Sequence, residues 1–199
     1  MIIDFHSHIL PGIDDGARTL EESIQIVKAM SAMGFDRITC TPHITKKYRN
    51  TPENIKERFD LLVTGMKDSG TEVDLRMSAE YRLNPETWPD ILAKGKLMPI
   101  EDKFILMEFP INDESDMYGL DPEEEFRKVI SLGLTPILPH PERYAYLPHD
   151  TLLRYVDLGV KIQSNYGSLA GIYGEEVQTK AQALIDEGIV SFLATDMHN

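Results

Sequence analysis

Glycine residues divide this chain into a repeated unit, in which a helix-like segment ends at a glycine and an apolar, strand-like run follows at once. Glycine is favoured just past a helix C-terminus because that position often has a positive φ. The glycines are Gly34, Gly70, Gly95, Gly133, Gly159 and Gly188. Helix starts are predicted at the capping-box pattern Thr19 to Glu22 and at the cap-proline pairs Thr51-Pro52, Asn84-Pro85 and Asp121-Pro122.

Seven candidate strands lie between these signals, and several of them are continuously apolar. Strands that are buried on both faces and alternate with helices are typical of a parallel sheet, open or closed into a barrel. No linker or internal repeat interrupts the pattern, so one α/β domain is expected over residues 1–199. The strands are Ile2 to His6, Arg37 to Thr41, Val73 to Glu80, Phe104 to Phe109, Thr135 to His140, Lys161 to Asn165 and Ile189 to Asp196.

Composition limits the partners and the chemistry. The chain carries 20 Lys and Arg against 33 Asp and Glu, and this formal charge of −13 disfavours nucleic acid as a partner. No apolar run approaches the ~20 residues of a membrane helix and no signal-peptide pattern is present, so a cytoplasmic location is expected. Cys40 is the single cysteine, so a metal site would have to use histidine and carboxylate ligands.

Ligand-type side chains stand at the ends of six of the seven predicted strands, and five of the six histidines are among them. In parallel α/β folds, ligands gather at the C-terminal ends of the strands. Singly, each residue is compatible with a capping role. Together they exceed the roughly four to six ligands of one ion, which predicts two or three divalent ions, with Zn, Mn or Fe as candidates. The predicted ligands are His6, His8, His43, Glu80, Glu108, His140, Asp196 and His198.

Two local patterns refine this set. His6 and His8 are separated by one residue, so on an extended strand both side chains point to the same face and can bind one ion. Asp15 follows the first strand in Asp14-Asp15-Gly16 and is a further candidate ligand, although Asp-Gly is also a favourable turn.

At this point the sequence resembles a known group, the polymerase-and-histidinol-phosphatase (PHP) superfamily. More narrowly, it resembles the bacterial manganese-dependent protein-tyrosine phosphatases that act in capsule and exopolysaccharide regulation, and the resemblance spans the whole chain. The motifs that carry it are His6 to Gly16, Thr41-Pro42-His43, Ala79-Glu80-Tyr81, His140 to Tyr144 and Thr195 to Asn199.

The resemblance implies a distorted seven-stranded β/α barrel, similar to a TIM barrel, with a trinuclear site at the C-terminal rim. It also implies roles for individual residues. Arg143 would bind phosphate through its guanidinium fork. His43 or His198 could assist as a general acid if it is not fully committed to metal. One ion would take His6, His8 and Asp196, a second Glu80 and His140 with Glu108 as the bridge, and a third Asp15, His43 and His198. Whether Glu80 or Glu108 is the bridge stays open.

The function implied is hydrolysis of phosphotyrosine by a metal-activated hydroxide, with manganese as the expected metal. The substrate would be a phosphotyrosine protein or peptide, such as the tyrosine-rich tail of a bacterial tyrosine kinase. A small-metabolite phosphatase, such as a histidinol-phosphate phosphatase, is the alternative with the same chemistry. A cysteine phosphatase is excluded because the residue six positions after Cys40 is Lys46 and not arginine.

Relatives of this type continue past the Asp-x-His motif with a closing helix. This sequence ends at Asn199, so the domain is expected to lack that segment. Either further chain or a second subunit would then cover the exposed face, which leaves an oligomer open.

Overall fold

The computed structural model describes residues 1–67, 69–112 and 114–198; Asp68, Asp113 and Asn199, the last residue of the Thr195 to Asn199 motif, lie outside the described residues. Within these ranges the chain alternates between strands and helices. The strands are β1 (Ile2–Ser7), β2 (Phe35–Cys40), β3 (His43–Ile44), β4 (Asp74–Met77), β5 (Glu80–Arg82), β6 (Phe104–Glu108), β7 (Thr135–Pro139), β8 (Lys161–Asn165) and β9 (Val190–Ala194). The α-helices are α1 (Leu20–Ala32), α2 (Pro52–Lys67), α3 (Trp88–Lys94), α4 (Pro122–Ser131), α5 (His149–Leu158), α6 (Tyr166–Leu169) and α7 (Glu175–Asp186). Short 3-10 helices cover Glu114–Met117 and Pro141–Arg143.

The strands form two parallel sheets, with the orders β1-β2-β4 and β3-β5-β6-β7-β8-β9. An isolated parallel bridge between Ser7 and Met197 joins the end of β1 to the segment after β9. There, His8 N–H donates to the Met197 carbonyl over 2.7 Å, and Asp196 N–H donates to the His6 carbonyl over 2.9 Å. The first and last predicted strands therefore meet at their C-terminal ends.

The described residues form nine strands rather than the seven expected, because one expected strand is divided and β3 is an additional strand. The second expected strand ends before Thr41-Pro42, where proline cannot donate a backbone hydrogen bond to a sheet, and β3 begins after this break. The third is interrupted at Ser78-Ala79, where Ser78 N–H donates to the Cys40 carbonyl over 2.8 Å. These breaks separate the two sheets, so the described residues do not form the single closed barrel that was expected.

The helix signals are confirmed at most positions. Thr19 Oγ1 accepts from Glu22 N–H over 3.2 Å at the start of α1, and Asp121 caps α4. All six predicted helix-end glycines have positive φ, between 63° and 104°. The Asn84-Pro85 signal is wrong by one turn, since α3 begins at Trp88 and the Asn84 carbonyl instead accepts from Trp88 N–H over 2.9 Å in the preceding turn.

The apolar core lies among the strands and helices and includes Ile38, Ile105, Leu138 and Ile162, all fully or almost fully buried. Each such side chain contributes about 1.5–3 kcal/mol by leaving water. No helix in the described part of the chain is long and apolar enough to cross a membrane.

Candidate metal centre

All nine predicted ligand residues come together: most lie in the C-terminal part of a strand or just after it, while His43 and Glu80 begin the short strands β3 and β5. They form four overlapping groups, and within each group one ligand atom from every residue lies within 4.8 Å of the others. Most of the nine are buried, while Asp15 and His198 have side chains that are 49% and 30% exposed. The groups are His6, His8 and Asp196; His6, Glu80 and His140; His43, Glu80 and Glu108; and His8, Asp15, His43 and His198.

Glu80, the first residue of β5, lies at the middle of the buried part of the cluster. Its Oε1 is 3.3 Å from His6 Nε2 and 3.4 Å from His140 Nε2. Its Oε2 is 3.3 Å from His8 Nε2 and 2.8 Å from His43 Nδ1. By contrast, Glu108 Oε2 is 3.7 Å from His43 Nδ1, and Glu108 Oε1 is 3.9 Å from His140 Nε2. The geometry therefore favours Glu80 over Glu108 as the carboxylate shared between neighbouring groups.

The Nε2 atoms of His6 and His8 face each other at 3.2 Å, and each is 3.4 Å from Asp196 Oδ1. The other nitrogen of each ring is already engaged, since His6 Nδ1 donates to Gln163 Oε1 over 2.7 Å and His8 Nδ1 to Asp14 Oδ2 over 2.8 Å. In the neutral rings these bonds leave both Nε2 lone pairs directed toward one point, as is typical of metal-binding histidines.

The orientation of Gln163 is set by a chain of hydrogen bonds that the sequence did not reveal. Gln163 Nε2 donates to Asn165 Oδ1 over 2.6 Å, and Asn165 Nδ2 donates to Asp196 Oδ2 over 2.8 Å. Because Gln163 donates toward Asn165, its carbonyl oxygen faces His6. Gln163 and Asn165 lie on β8, two residues apart, so both side chains point toward the centre. In the sequence, this two-residue spacing was the signal that both side chains face the site.

The concentrated carboxylates give the centre a strong preference for cations. Burial alone would lower the pKa of His6, but Glu80 and Asp196 outweigh it and raise that pKa to about 9. Burial would likewise raise the pKa values of Glu80 and Asp196, yet the facing histidines hold both well below their usual range. Without a metal the centre therefore retains protons, which a bound metal ion would displace.

The buried polar atoms fit a metal centre. Both carboxylate oxygens of Glu80, together with Nδ1 of His43 and Nδ1 of His140, are buried without a well-formed hydrogen bond. Buried polar atoms are normally satisfied, so several such atoms in one cluster point to a missing common partner. Imidazole and carboxylate donors suit Zn, Mn and Fe.

The more exposed group lies beside the buried one. His43 Nε2 is 3.5 Å from Asp15 Oδ1, and His198 Nε2 is 3.7 Å from the same oxygen. The His198 ring stacks on His8 with centroids 4.1 Å apart. Burial, followed by the nearby positive charge of His8, lowers the pKa of His198, which favours the neutral imidazole.

Two arginines border the cluster. Arg143 Nη1 donates to Asp196 Oδ2 over 3.0 Å, and its guanidinium lies 4.4 Å over the Tyr173 ring. Arg82, which sequence reasoning missed, donates from Nε to Glu108 Oε2 over 2.7 Å. Glu80 and Arg82 are two residues apart on β5, so the strand period could have identified Arg82 as facing the site.

Backbone strain coincides with two of the candidate ligands. His140 and Asp196 have left-handed φ values of 39° and 52°, which non-glycine residues rarely adopt. Each directly follows or closely follows a strand, and such strain is often found at functional sites.

Cys40, in contrast, is fully buried, and burial raises the pKa of its thiol far above the ordinary range. A buried thiol of this kind is a poor nucleophile.

The fold and the site together define a parallel α/β protein with a centre suited to several metal ions. Residues 2–199 match the family described as "Capsular polysaccharide synthesis, CpsB/CapC". The chain belongs to this family.

Curated relatives and a solved structure agree with this assignment. Tyrosine-protein phosphatase YwqE of Bacillus subtilis (strain 168) is 34% identical over 202 residues, covering 100% of this chain and 78% of the relative. Putative tyrosine-protein phosphatase CapC of Staphylococcus aureus is 28% identical, covering 100% of this chain and 77% of that protein. The fold also matches a chain from "Crystal structures of YwqE from Bacillus subtilis and CpsB from Streptococcus pneumoniae, unique metal-dependent tyrosine phosphatases", with a TM-score of 0.89, 31% identity, and coverage of 100% of this chain and 80% of that chain. The resemblance inferred from the sequence motifs is confirmed.

Proposed function

We propose that this chain is a metal-dependent protein-tyrosine phosphatase that acts in capsule or exopolysaccharide regulation. The observation that carries the proposal is the convergence of five histidines and four carboxylates on one rim, with Arg143 at its edge. The relatives reported above are tyrosine phosphatases by name. They give no support to the alternative of a histidinol-phosphate phosphatase.

We propose two or three divalent ions at this centre, with manganese as the first candidate and iron or zinc as the others. His6, His8 and Asp196 would hold one ion, and His140 a second. Glu80, rather than Glu108, would be the shared carboxylate, because its two oxygens approach four histidines. Asp15, His43 and His198 would hold the third, and His8 also lies in that group.

The metal ions would supply an activated water at neutral pH and would stabilise negative charge on the phosphoryl oxygens. The protein residues then have three tasks. Arg143 would bind two phosphoryl oxygens with its guanidinium fork, and Asp196 Oδ2 would orient that guanidinium through the 3.0 Å hydrogen bond. His198, or His43, would donate a proton from an imidazole nitrogen to the departing oxygen only where that nitrogen does not bind metal. Tyrosine has a pKa near ~10, so its phenolate leaves without strong acid assistance.

The activity test compares the metal-loaded and chelated protein. Hydrolysis of p-nitrophenyl phosphate and of phosphotyrosine peptides is expected after loading with Mn, and its loss after chelation. Equal rates with and without metal would contradict the metal mechanism. A strong preference for small aliphatic phosphate esters over phosphotyrosine peptides would instead favour a metabolite phosphatase.

Several broader features belong to the same proposal. The substrate would be a phosphotyrosine segment such as the tyrosine-rich tail of a bacterial tyrosine kinase, and the protein would act in the cytoplasm, alone or as an oligomer.

Residues 1–199 would form one domain. The bridge between Ser7 and Met197 supports the view that the two sheets are parts of one distorted barrel.

A further inference from the structure

A basic cleft of about 260 Å³ opens beside the metal centre, between the turn after β3 and the segment around Asp116. Its lining includes the cations Lys46, Lys47 and Arg82 and a single carboxylate, Asp116; the other lining residues are Thr45 and Asn84. The chain has a formal charge of −13, whereas this cleft is lined by three cations and one carboxylate. A local positive patch on an acidic protein favours an anionic ligand.

The turn that carries the two lysines is well ordered by its own hydrogen bonds. Thr45 Oγ1 accepts from Lys47 N–H over 3.1 Å and from Tyr48 N–H over 2.9 Å. Thr45 N–H in turn donates to the Tyr48 carbonyl over 2.9 Å. Because the backbone is already ordered, little entropy would be lost there when a ligand binds.

The cations of the cleft are not equally neutralised. Lys46 Nζ lies 2.6 Å from Glu86 Oε1, and Arg82 Nε lies 2.7 Å from Glu108 Oε2. Lys47 Nζ instead donates to the neutral Tyr48 hydroxyl over 2.6 Å and lies 4.5 Å from the centre of that ring. Among the described residues, Lys47 has no carboxylate partner in an ion pair. Its charge therefore remains available to a ligand.

Two contacts connect the cleft to the metal centre. The Tyr48 ring is parallel to the His43 ring within 6°, with centroids 6.0 Å apart. On the other side, Arg82 reaches Glu108 directly. One bound peptide could therefore place a phosphotyrosine at the centre and a neighbouring side chain in the cleft.

We propose that this cleft is an anion subsite, which binds a second negatively charged group of the phosphopeptide whose phosphotyrosine is hydrolysed at the metal centre. The group is either a side-chain carboxylate or a second phosphate, since both are anionic oxygen acceptors for Lys47 and Arg82. This inference rests on the proposed function. It adds a preference among phosphotyrosine substrates.

The test uses three phosphotyrosine peptides that differ at one neighbouring position, which is Glu, Gln or a non-hydrolysable phosphonate mimic of phosphotyrosine. For the Mn-loaded protein, kcat/KM is expected to be about threefold higher for Glu than for Gln, and about tenfold higher for the phosphonate. The preference should decrease with added salt. The two anionic peptides distinguish a carboxylate from a phosphate as the better ligand.

Lys47→Gln is expected to remove most of this preference. Lys56→Gln is the matched control, because Lys56 is an exposed cation on α2 that pairs with Asp60 and does not line the cleft. It should retain the preference. The inference is overturned if wild type turns over the three peptides equally, or if the two variants lower the preference to the same extent.

The failure of the inference and that of the proposed function are distinguishable. If the metal-loaded protein hydrolyses p-nitrophenyl phosphate and all three peptides but shows no preference among the peptides, only the subsite is overturned. If no phosphate ester is hydrolysed by the metal-loaded protein, the proposed function fails and the subsite with it.

Discussion

His8 Nδ1 lies 2.8 Å from Asp14 Oδ2, so the carboxylate of Asp14 holds the His8 ring with Nε2 directed into the metal centre. The same oxygen accepts from His43 N–H over 3.0 Å. Burial would raise the pKa of Asp14, but the hydrogen bonds that it accepts, first of all from His8, lower that pKa to about 2. Asp14 thus contacts two candidate ligands, the ring of His8 just after β1 and the backbone of His43 in β3.

Asp14→Ala should weaken metal binding without removing a ligand. Partners of this kind typically contribute 10- to 100-fold in metal affinity or activity, so a decrease of about that size is expected. Metal titration followed by phosphatase assays would measure it. Activity that is restored at high Mn concentration would agree with an orienting role, whereas unchanged metal affinity would contradict it.

Glu80→Gln should have a larger effect, because Glu80 contacts four histidines at once. The amide has the same shape but lacks the charge and one acceptor oxygen. A loss of more than about 100-fold in activity is expected, together with a lower metal content in the purified protein. Glu108→Gln is the matched comparison, and a larger loss in Glu108→Gln would identify Glu108 as the shared carboxylate.

Two variants of Asp196 can distinguish the effect of backbone strain on stability from the effect of metal binding on activity. Its φ of 52° is tolerated better by asparagine than by alanine, since Asn and Asp are enriched in left-handed conformations. Both Asp196→Asn and Asp196→Ala should remove most activity, but only the alanine variant should also lose about 1 kcal/mol of unfolding free energy. Urea unfolding of the two metal-free proteins would check this. Full activity in either variant would contradict a ligand role for Asp196.

Arg143→Lys keeps the positive charge but loses the planar fork that can bind two phosphoryl oxygens. Because Arg143 is proposed to bind substrate rather than metal, metal content should remain normal while kcat/KM falls by about 10- to 100-fold. Reduced metal content in this variant would show that the 3.0 Å contact with Asp196 chiefly supports the ligand.

The sequence predicted the position of the site well, because its evidence was local. A glycine that ends a helix and an apolar run that follows it are visible without any tertiary contact. In a parallel sheet all strand ends then lie on one side, which is sufficient to bring His6, Glu80 and Asp196 together. The break in the third expected strand and the additional strand β3 were missed, although Pro42 carries a signal for the break before β3.

The parts of the site that could not be predicted depend on distances between segments far apart in sequence. Gln163 contacts His6 across 157 positions: the spacing of Gln163 and Asn165 places both on one face of β8, but it does not identify His6 as the partner. The choice between Asp14 and Asp15 is similar. Both are adjacent carboxylates, but only the folded loop shows that Asp14 contacts His8 while Asp15 faces His43. The preference for Glu80 over Glu108 likewise follows from measured distances alone.

Gly16 provides a test of how closely the loop after β1 must approach His8. A Cβ at Gly16 would lie 1.7 Å from the His8 carbonyl oxygen, a backbone atom that itself accepts from Ala17 N–H over 3.0 Å. Gly16→Ala must therefore displace the loop that carries Asp14 and Asp15.

We expect Gly16→Ala to lose more than about 2 kcal/mol of unfolding free energy, as overpacked sites do, and to bind metal weakly. Gly65→Ala is the control, because the new Cβ would meet only the ends of the Ile24 and Leu20 side chains, at 2.9 Å and 3.3 Å, and alanine favours the helix α2. Its stability and metal content should stay close to wild type. A Gly16→Ala protein with normal stability and full metal content would show that the loop can move away from His8 without disturbing the centre.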